Sequence, residues 1–287
     1  MVLFAFFRIN KFNRVMSDPV VSIPANKIIR IARRFSMVSL ILRIAILLVV
    51  TGGFILISLG QAVWGGALMA GSLAVLFFLG GRSVRAHQDL TRTSFLIESR
   101  RFEEAEKSLL QSINRFTLHR APRLGMLQNL AALRHAQKQY VESALLIDEL
   151  LCQQRLDSGL RQSLLLMRAE CALEMNDLSS AHSVLSAVSS DMTVRDRLKF
   201  LELQVDYCAR ISAWGCVTES LPHKIELVEL MPAWSAARVQ AIMALSALKT
   251  GQTDWARWLK RRAELLGDVR SIIESRSFLQ ELWGELR

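Results

Sequence analysis

The sequence predicts an all-α protein: an N-terminal two-helix transmembrane hairpin followed by an α-solenoid of about five degenerate helix pairs. Three observations predict it. Residues 44–80 carry no charge over 37 positions, too many for one crossing of a hydrocarbon core of about 30 Å, which takes about 20 residues. From residue 84 onward only Pro122, Pro222 and Pro232 occur, leucine and alanine are abundant, and apolar residues recur at three and four positions, which is the helical period. A short pattern also repeats: a large apolar residue, a small one three later, and another large one four after that. It reads Phe102/Ala105/Leu109, Tyr140/Ser143/Ile147, Leu178/Ala181/Leu185 and Trp214/Val217/Leu221, with a weaker copy around Ala256, so the small positions are spaced by 38, 38, 36 and 39 residues. A near-constant period of this length marks units that cannot bury an apolar face alone and therefore stack.

Residues 1–36 form a basic segment. Over residues 1–43, eight Lys/Arg oppose only Asp18, whereas residues 82–287 carry 28 Lys/Arg against 25 Asp/Glu. The sequence pI near 10 is therefore mostly a property of the N-terminus and not a nucleic-acid footprint on the large domain. Within it, "NKIIRIARRF" at 26–35 mixes Ile28, Ile29, Ile31 and Phe35 with four basic residues. It reads equally as a basic amphipathic helix on the headgroup surface or as an orientation signal alone. "MVLFAFF" at 1–7 is too short to span, Met16 is an alternative start, and no cleavage site follows a short apolar region, so a cleaved signal peptide is not expected.

The hairpin occupies 37–81, with spans at 37–58 and 62–81 and a turn at 59–61. Arg43 sits close enough to the first span's end to snorkel. Basic residues precede the first span, the turn has none, and Arg82, Arg85 and Arg92 follow the second. The positive-inside rule then puts both ends in the cytoplasm. Gly66/Ala70 and Ala67/Gly71 give the second span a small-residue face, which allows close helix approach either within the hairpin or in a homo-oligomer.

Residues 82–268 form the repeat domain, and 269–287 form a helix expected to cap the last unit with a polar outer face. Each repeated motif opens a second helix, after a polar break such as "ESR", "QKQ", "MND" or "KTGQ". The pattern resembles tetratricopeptide repeats over about 88–265, where the resemblance implies that the small residue packs against the preceding helix. "LQNLAAL" at 127–133 and "LLLMRAECAL" at 164–173 match the family's first helix best. The period exceeds the family's, and its repeat-ending prolines are missing. Two spans followed by such repeats are also similar to a bacterial inner-membrane family encoded with haem-biosynthesis genes, which "SAWGCVTESLP" at 212–222 echoes. The inter-span turn is much shorter than in that family, and no functional residue is carried over. The resemblance implies a bacterial inner-membrane protein with a cytoplasmic repeat domain.

No nucleotide-binding glycine loop, GxSxG or HExxH is present, and the five histidines have no metal spacing. Glu103, Glu104 and Glu106 crowd one helix start, where the macrodipole favours acids. Cys152, Cys171, Cys208 and Cys216 form no CxxC pair and read as thiols in a reducing compartment. The chain is thus expected to be no enzyme, with no catalytic residue, cofactor or metal.

What remains is a binding module. The tetratricopeptide resemblance implies a concave groove lined by first helices. Its groove-facing spacing falls on Gln128, Ala132 and His135, on Leu166, Glu170 and Glu174, on Lys199, Glu202, Asp206 and Arg210, and on Arg238. The middle of that groove is acidic, so an unknown protein partner with a basic or mixed-charge segment is expected there, beside the lipid bilayer. The alternative is a structural assembly factor that holds a membrane complex through its outer repeat surface. An RNA-binding array needs a basic groove and is not expected, so nucleic acid is not among the partners.

Overall fold

A computed structural model describes residues 24–113, 120–153, 156–189 and 191–285. The segment 1–7 and the alternative start Met16 lie outside the described residues, as do the side chains of Phe35, Arg43, Arg82 and Arg85. All regular structure among the described residues is helical. The chain divides into two units, Met1–Cys152 and Gln153–Arg287.

The first unit holds α1 (Ala25–Ser58), α2 (Ala62–Glu98), α3 (Phe102–Ile113), α4 (Arg120–Ala136) and α5 (Tyr140–Leu151). Within α1, Met37–Ser58 has a mean hydropathy of 2.7 and is long and apolar enough to cross a bilayer, whereas the apolar stretch Ala62–Val75 of α2 is shorter. Helices α1 and α2 meet where both lack side chains. A Cβ on Gly65 would lie 2.5 Å from Ile57 Cγ1 and 2.6 Å from the Gly53 carbonyl oxygen. Gly66 and Gly71 have no atom within 4 Å of where a Cβ would stand, and Ala67 and Ala70 are exposed. The small-residue face is therefore not what packs α1 on α2; Gly53 and Gly65 are.

The N-terminal turns of α1 pack against α5. Ala25 and Ile28 are buried there, and the Arg33 guanidinium donates to both Glu149 oxygens, Nε at 3.0 Å and Nη2 at 2.5 Å. Glu149 holds the guanidinium pKa above its ordinary value, through hydrogen bonding first and charge second. This corrects the headgroup reading of 26–35: Ile28 is covered by protein, not lipid. Helix α2 runs unbroken across residue 82 and ends packed on α3 and α4. There Asn129 Nδ2 donates to the Leu90 carbonyl at 3.1 Å and to Ser94 Oγ at 3.1 Å. Glu106 does not belong with Glu103 and Glu104 in a solvated first turn. It is buried against Arg134, 2.7 Å from Nη2, and Glu142 lies 3.0 Å from Nε of the same guanidinium.

The second unit holds α6 (Ser158–Glu174), α7 (Leu178–Ser186), α8 (Val194–Arg210), α9 (Trp214–Thr218), α10 (Leu221–Glu229), α11 (Ala233–Lys249), α12 (Thr253–Leu266), α13 (Val269–Ser275), a 3₁₀ turn (Ser277–Leu279) and α14 (Gln280–Glu285). Asp157, Asp177, Thr193 and Asp268 cap helix N-termini by accepting from backbone N–H groups of the first turn. The core centres on α11, which is buried at most positions from Ser235 to Ala247. The closing segment is not the single helix expected over 269–287. It leaves helical geometry at Arg276 (φ −150°, ψ 99°), and Leu279 and Leu282 then pack into the core around α11.

One turn recurs in both units. Gly60, Arg100, Lys138, Asn176, Ser212 and Gly251 all have φ between 57° and 82°. The residue after each donates its N–H back to the carbonyl five positions earlier, as in Gln61 to Leu56, Gln139 to Arg134 and Gln252 to Ala247. This is the Schellman ending, which satisfies carbonyls that the helix leaves free. Five residues after each left-handed residue comes the small slot: Gly65, Ala105, Ser143, Ala181, Val217 and Ala256. The five from Ala105 onward are at most 1% exposed. Ser143 tolerates the slot because its hydroxyl donates to the Ala131 carbonyl at 2.9 Å. The α1–α2 turn is therefore built like those of the later helix pairs.

Candidate interaction face

In the second unit, the first helices α6, α8 and α11 bring Glu170, Glu174, Lys199, Glu202, Asp206, Arg210 and Arg238 together. Lys199 Nζ lies 2.7 Å from Glu170 and 3.3 Å from Glu202, and Arg238 closes the far side of Glu202. Burial draws the Lys199 ammonium down, but Glu170 and Glu202 outweigh it, so its pKa ends above the ordinary lysine value.

One turn along, Arg210 Nε bonds Asp206 at 3.2 Å. The Arg210 Nη1 donates to the Leu173 carbonyl at 2.7 Å, at the end of α6. From the closing segment comes Arg276, whose Nε is 3.0 Å from each Asp206 oxygen and whose Nη2 reaches Asp206 at 2.8 Å and also Glu174. Burial alone would raise the Asp206 pKa; the hydrogen bonds and charge of Arg276, then Arg210, reverse this and hold it below the carboxylate range. The same contacts, against burial, keep Arg276 above its ordinary value.

The expected mutual repulsion of the acids is thus corrected. Four acids were expected to repel one another; instead each faces a cation of this chain, and the two clusters alternate in sign. Helix spacing revealed the acids, but not Arg276, which stands 70 residues from Asp206 and 102 from Glu174. Nothing in "IESRSFL" marks it as a partner. Gln128 and His135 belong to the first unit. They lie half-buried on α4, with the His135 ring edge-on to Tyr140 at 5.4 Å.

The second helix of the last pair is different. On the second helix α12, Trp255 and Trp258 meet edge to face at 5.6 Å, and Arg262 lies over the Trp258 ring at 4.8 Å. Both indoles are about two-fifths exposed, and Leu265 is 85% exposed. Among the described residues, no group of three or more His, Cys, Asp or Glu is placed to hold a metal ion. Comparison with protein-family models, curated proteins and solved structures finds no match to this chain.

Proposed function

We propose that this chain is a membrane-anchored protein–protein interaction module. In this reading, spans at 37–58 and 62–81 form a hairpin in a bacterial inner membrane, and a tetratricopeptide-like array of helix pairs stands in the cytoplasm. The reading draws on the apolar segment Met37–Ser58 and on the turn and small slot that recur from Gly60 to Ala256. Such arrays present extended surfaces to partners.

One observation favours one of the two faces. The acids of the first-helix face are already paired by Lys199, Arg238, Arg210 and Arg276. A cationic ligand would have to displace internal charges, which removes the motive for binding there. The second helix α12 carries the exposed Trp255, Trp258 and Leu265, while on α11 the exposed Trp234 has Arg238 5.1 Å from its ring; exposed aromatic anchors are the usual energetic centre of an interface. The scaffold reading, in which the outer repeat surface holds the subunits of a membrane complex, is therefore the favoured form of this function.

The test is site-specific photocrosslinking in native membranes with the whole chain intact. A crosslinker at position 258 should capture a partner, and one at position 170 should not. Capture at 170 that salt weakens would restore the first-helix groove.

A further inference from the structure

The helix pairs differ at the place two residues past the small slot. Lys107, Leu145, Ser183, Glu219 and Trp258 stand there, all exposed, and of these the apolar ones are Leu145 on α5 and Trp258 on α12. On α5 the chain supplies a cover of its own. The N-terminal turns of α1 pack against it, Ile28 is buried, and Arg33 bonds Glu149, which stands six residues past the slot Ser143. The covering turns are basic, with Lys27, Arg30, Arg33 and Arg34, and the position they meet is an acid. On α12 the corresponding flank is open and its sign is reversed. Trp255, Trp258, Arg262 and Leu265 follow one another at three, four and three residues, so they line one stripe of the helix over about 15 Å. Arg262 holds the place of Glu149, six residues past the slot Ala256. It lies 4.8 Å from the Trp258 ring and 3.0 Å from Glu229 of α10, in a pair whose side chains stay 34% and 48% exposed. Over the whole of α12, Arg257, Lys260, Arg261 and Arg262 stand against Asp254 and Glu264. Trp283 Nε1 donates to Glu264 at 2.8 Å, and Asp254 is 3.8 Å from Arg257.

We propose that the α12 stripe is the docking site of an acidic amphipathic helix of a partner protein, which covers α12 as α1 covers α5 with the signs exchanged. The proposal rests on the interaction reading above and names the chemistry of its partner. Trp258 and Leu265 seat apolar side chains of the incoming helix at helical spacing, the mode in which an amphipathic helix lies on an apolar stripe. Its carboxylates fall along the cationic flank. The Arg262 guanidinium has five N–H donors and can accept a second carboxylate beside Glu229. Arg257 and Arg261 are exposed, so they steer an acidic approach and penalise a basic one. A bilayer surface fits the stripe less well. Anionic headgroups would be pressed against Glu229, Asp254 and Glu264, whereas a helix can set neutral side chains opposite them.

The probe is a benzophenone side chain at position 258 of the full chain in native membranes, followed by sequencing of the crosslinked peptide. The expected peptide is a helix-forming segment with apolar residues at three- and four-residue spacing and a net negative charge. Synthesised alone, that peptide should bind the full chain in nanodiscs of zwitterionic lipid. Arg257→Glu combined with Arg261→Glu should weaken binding about tenfold, and raised salt should weaken binding to the wild-type chain. Thermal melting reports whether the variant is folded, and the salt series on the wild-type chain does not depend on it. An adduct to a neutral or basic protein segment would overturn this inference and leave the interaction reading standing. An adduct to lipid alone, or none at all, would remove both. Binding that ignores salt, or that a folded charge-reversed variant keeps in full, would also overturn the acidic partner.

Discussion

Arg276 grips Asp206 with both edges of its guanidinium, Nε at 3.0 Å and Nη2 at 2.8 Å, after the chain has left helical geometry to deliver it. Its side chain is 9% exposed and that of Asp206 is 6% exposed. Removing one member of so buried a pair leaves the other charge stranded. Arg276→Met should therefore destabilise the protein by about 2–4 kcal/mol, less than the full effect of an orphaned charge because Arg210 still faces Asp206. Arg276→Lys should lose an intermediate amount, because an ammonium cannot reproduce the planar fork. Denaturant unfolding followed by circular dichroism measures both; a loss below about 0.5 kcal/mol would mean the cluster behaves as a solvated surface pair.

The same clusters set a pH window. The Asp206 pKa is lower folded than unfolded, so its contribution is present above the unfolded value of about 3.9 and fades as pH falls through the folded one. The Lys199 pKa is raised, so its contribution is complete below about 10.4 and is lost as pH rises through the folded value. Stability from these groups should be flat across the neutral range and drop at both extremes. Asp206→Asn should flatten the acid limb and leave the alkaline limb in place, which thermal melts over a pH series would reveal. An unchanged acid limb in that variant would assign the acid loss to other groups.

Ala181 has no exposed surface and sits between α7 and its neighbours. Ala181→Leu should force those helices apart at a cost of about 1–3 kcal/mol. An unchanged melting midpoint would mean that the site relaxes around the larger side chain.

Topology is checked by reporter fusions at residue 60 and after residue 287. With two spans and basic flanks, they should report opposite sides of the membrane. Agreement between them would leave Met37–Ser58 as the lone crossing.

Much of the helix-pair register was legible because it rests on side-chain volume. Ala105, Ser143, Ala181, Val217 and Ala256 had to be small or compact for two helices to approach, and all are buried. The turns were less legible. Gly60, Gly251 and Asn176 suit left-handed geometry, but Arg100, Lys138 and Ser212 adopt it as well, because the hydrogen bonds that close the turn outweigh residue preference. Gly65 belongs to the same series, yet hydropathy masked it: the eye reads 44–80 as lipid-facing and not as another helix pair. At the candidate face, the acids followed from helical spacing. Their counter-ions did not, since Arg276 arrives from a segment whose path depends on how Leu279 and Leu282 find the core around α11.

Helix α2 has one further consequence. It passes from its apolar stretch, Ala62–Val75, into the packing against α3 and α4 with no turn, proline or cap in between. A helix rises 1.5 Å per residue, so the stretch from Arg82 to Glu98 is a stiff arm of about 24 Å, and a tilt of about 10° carries its end about 4 Å. The apolar stretch and the packed end of α2 are therefore parts of one continuous helix. A tilt of its apolar end becomes a displacement of α3 and α4, so the helix acts as a lever.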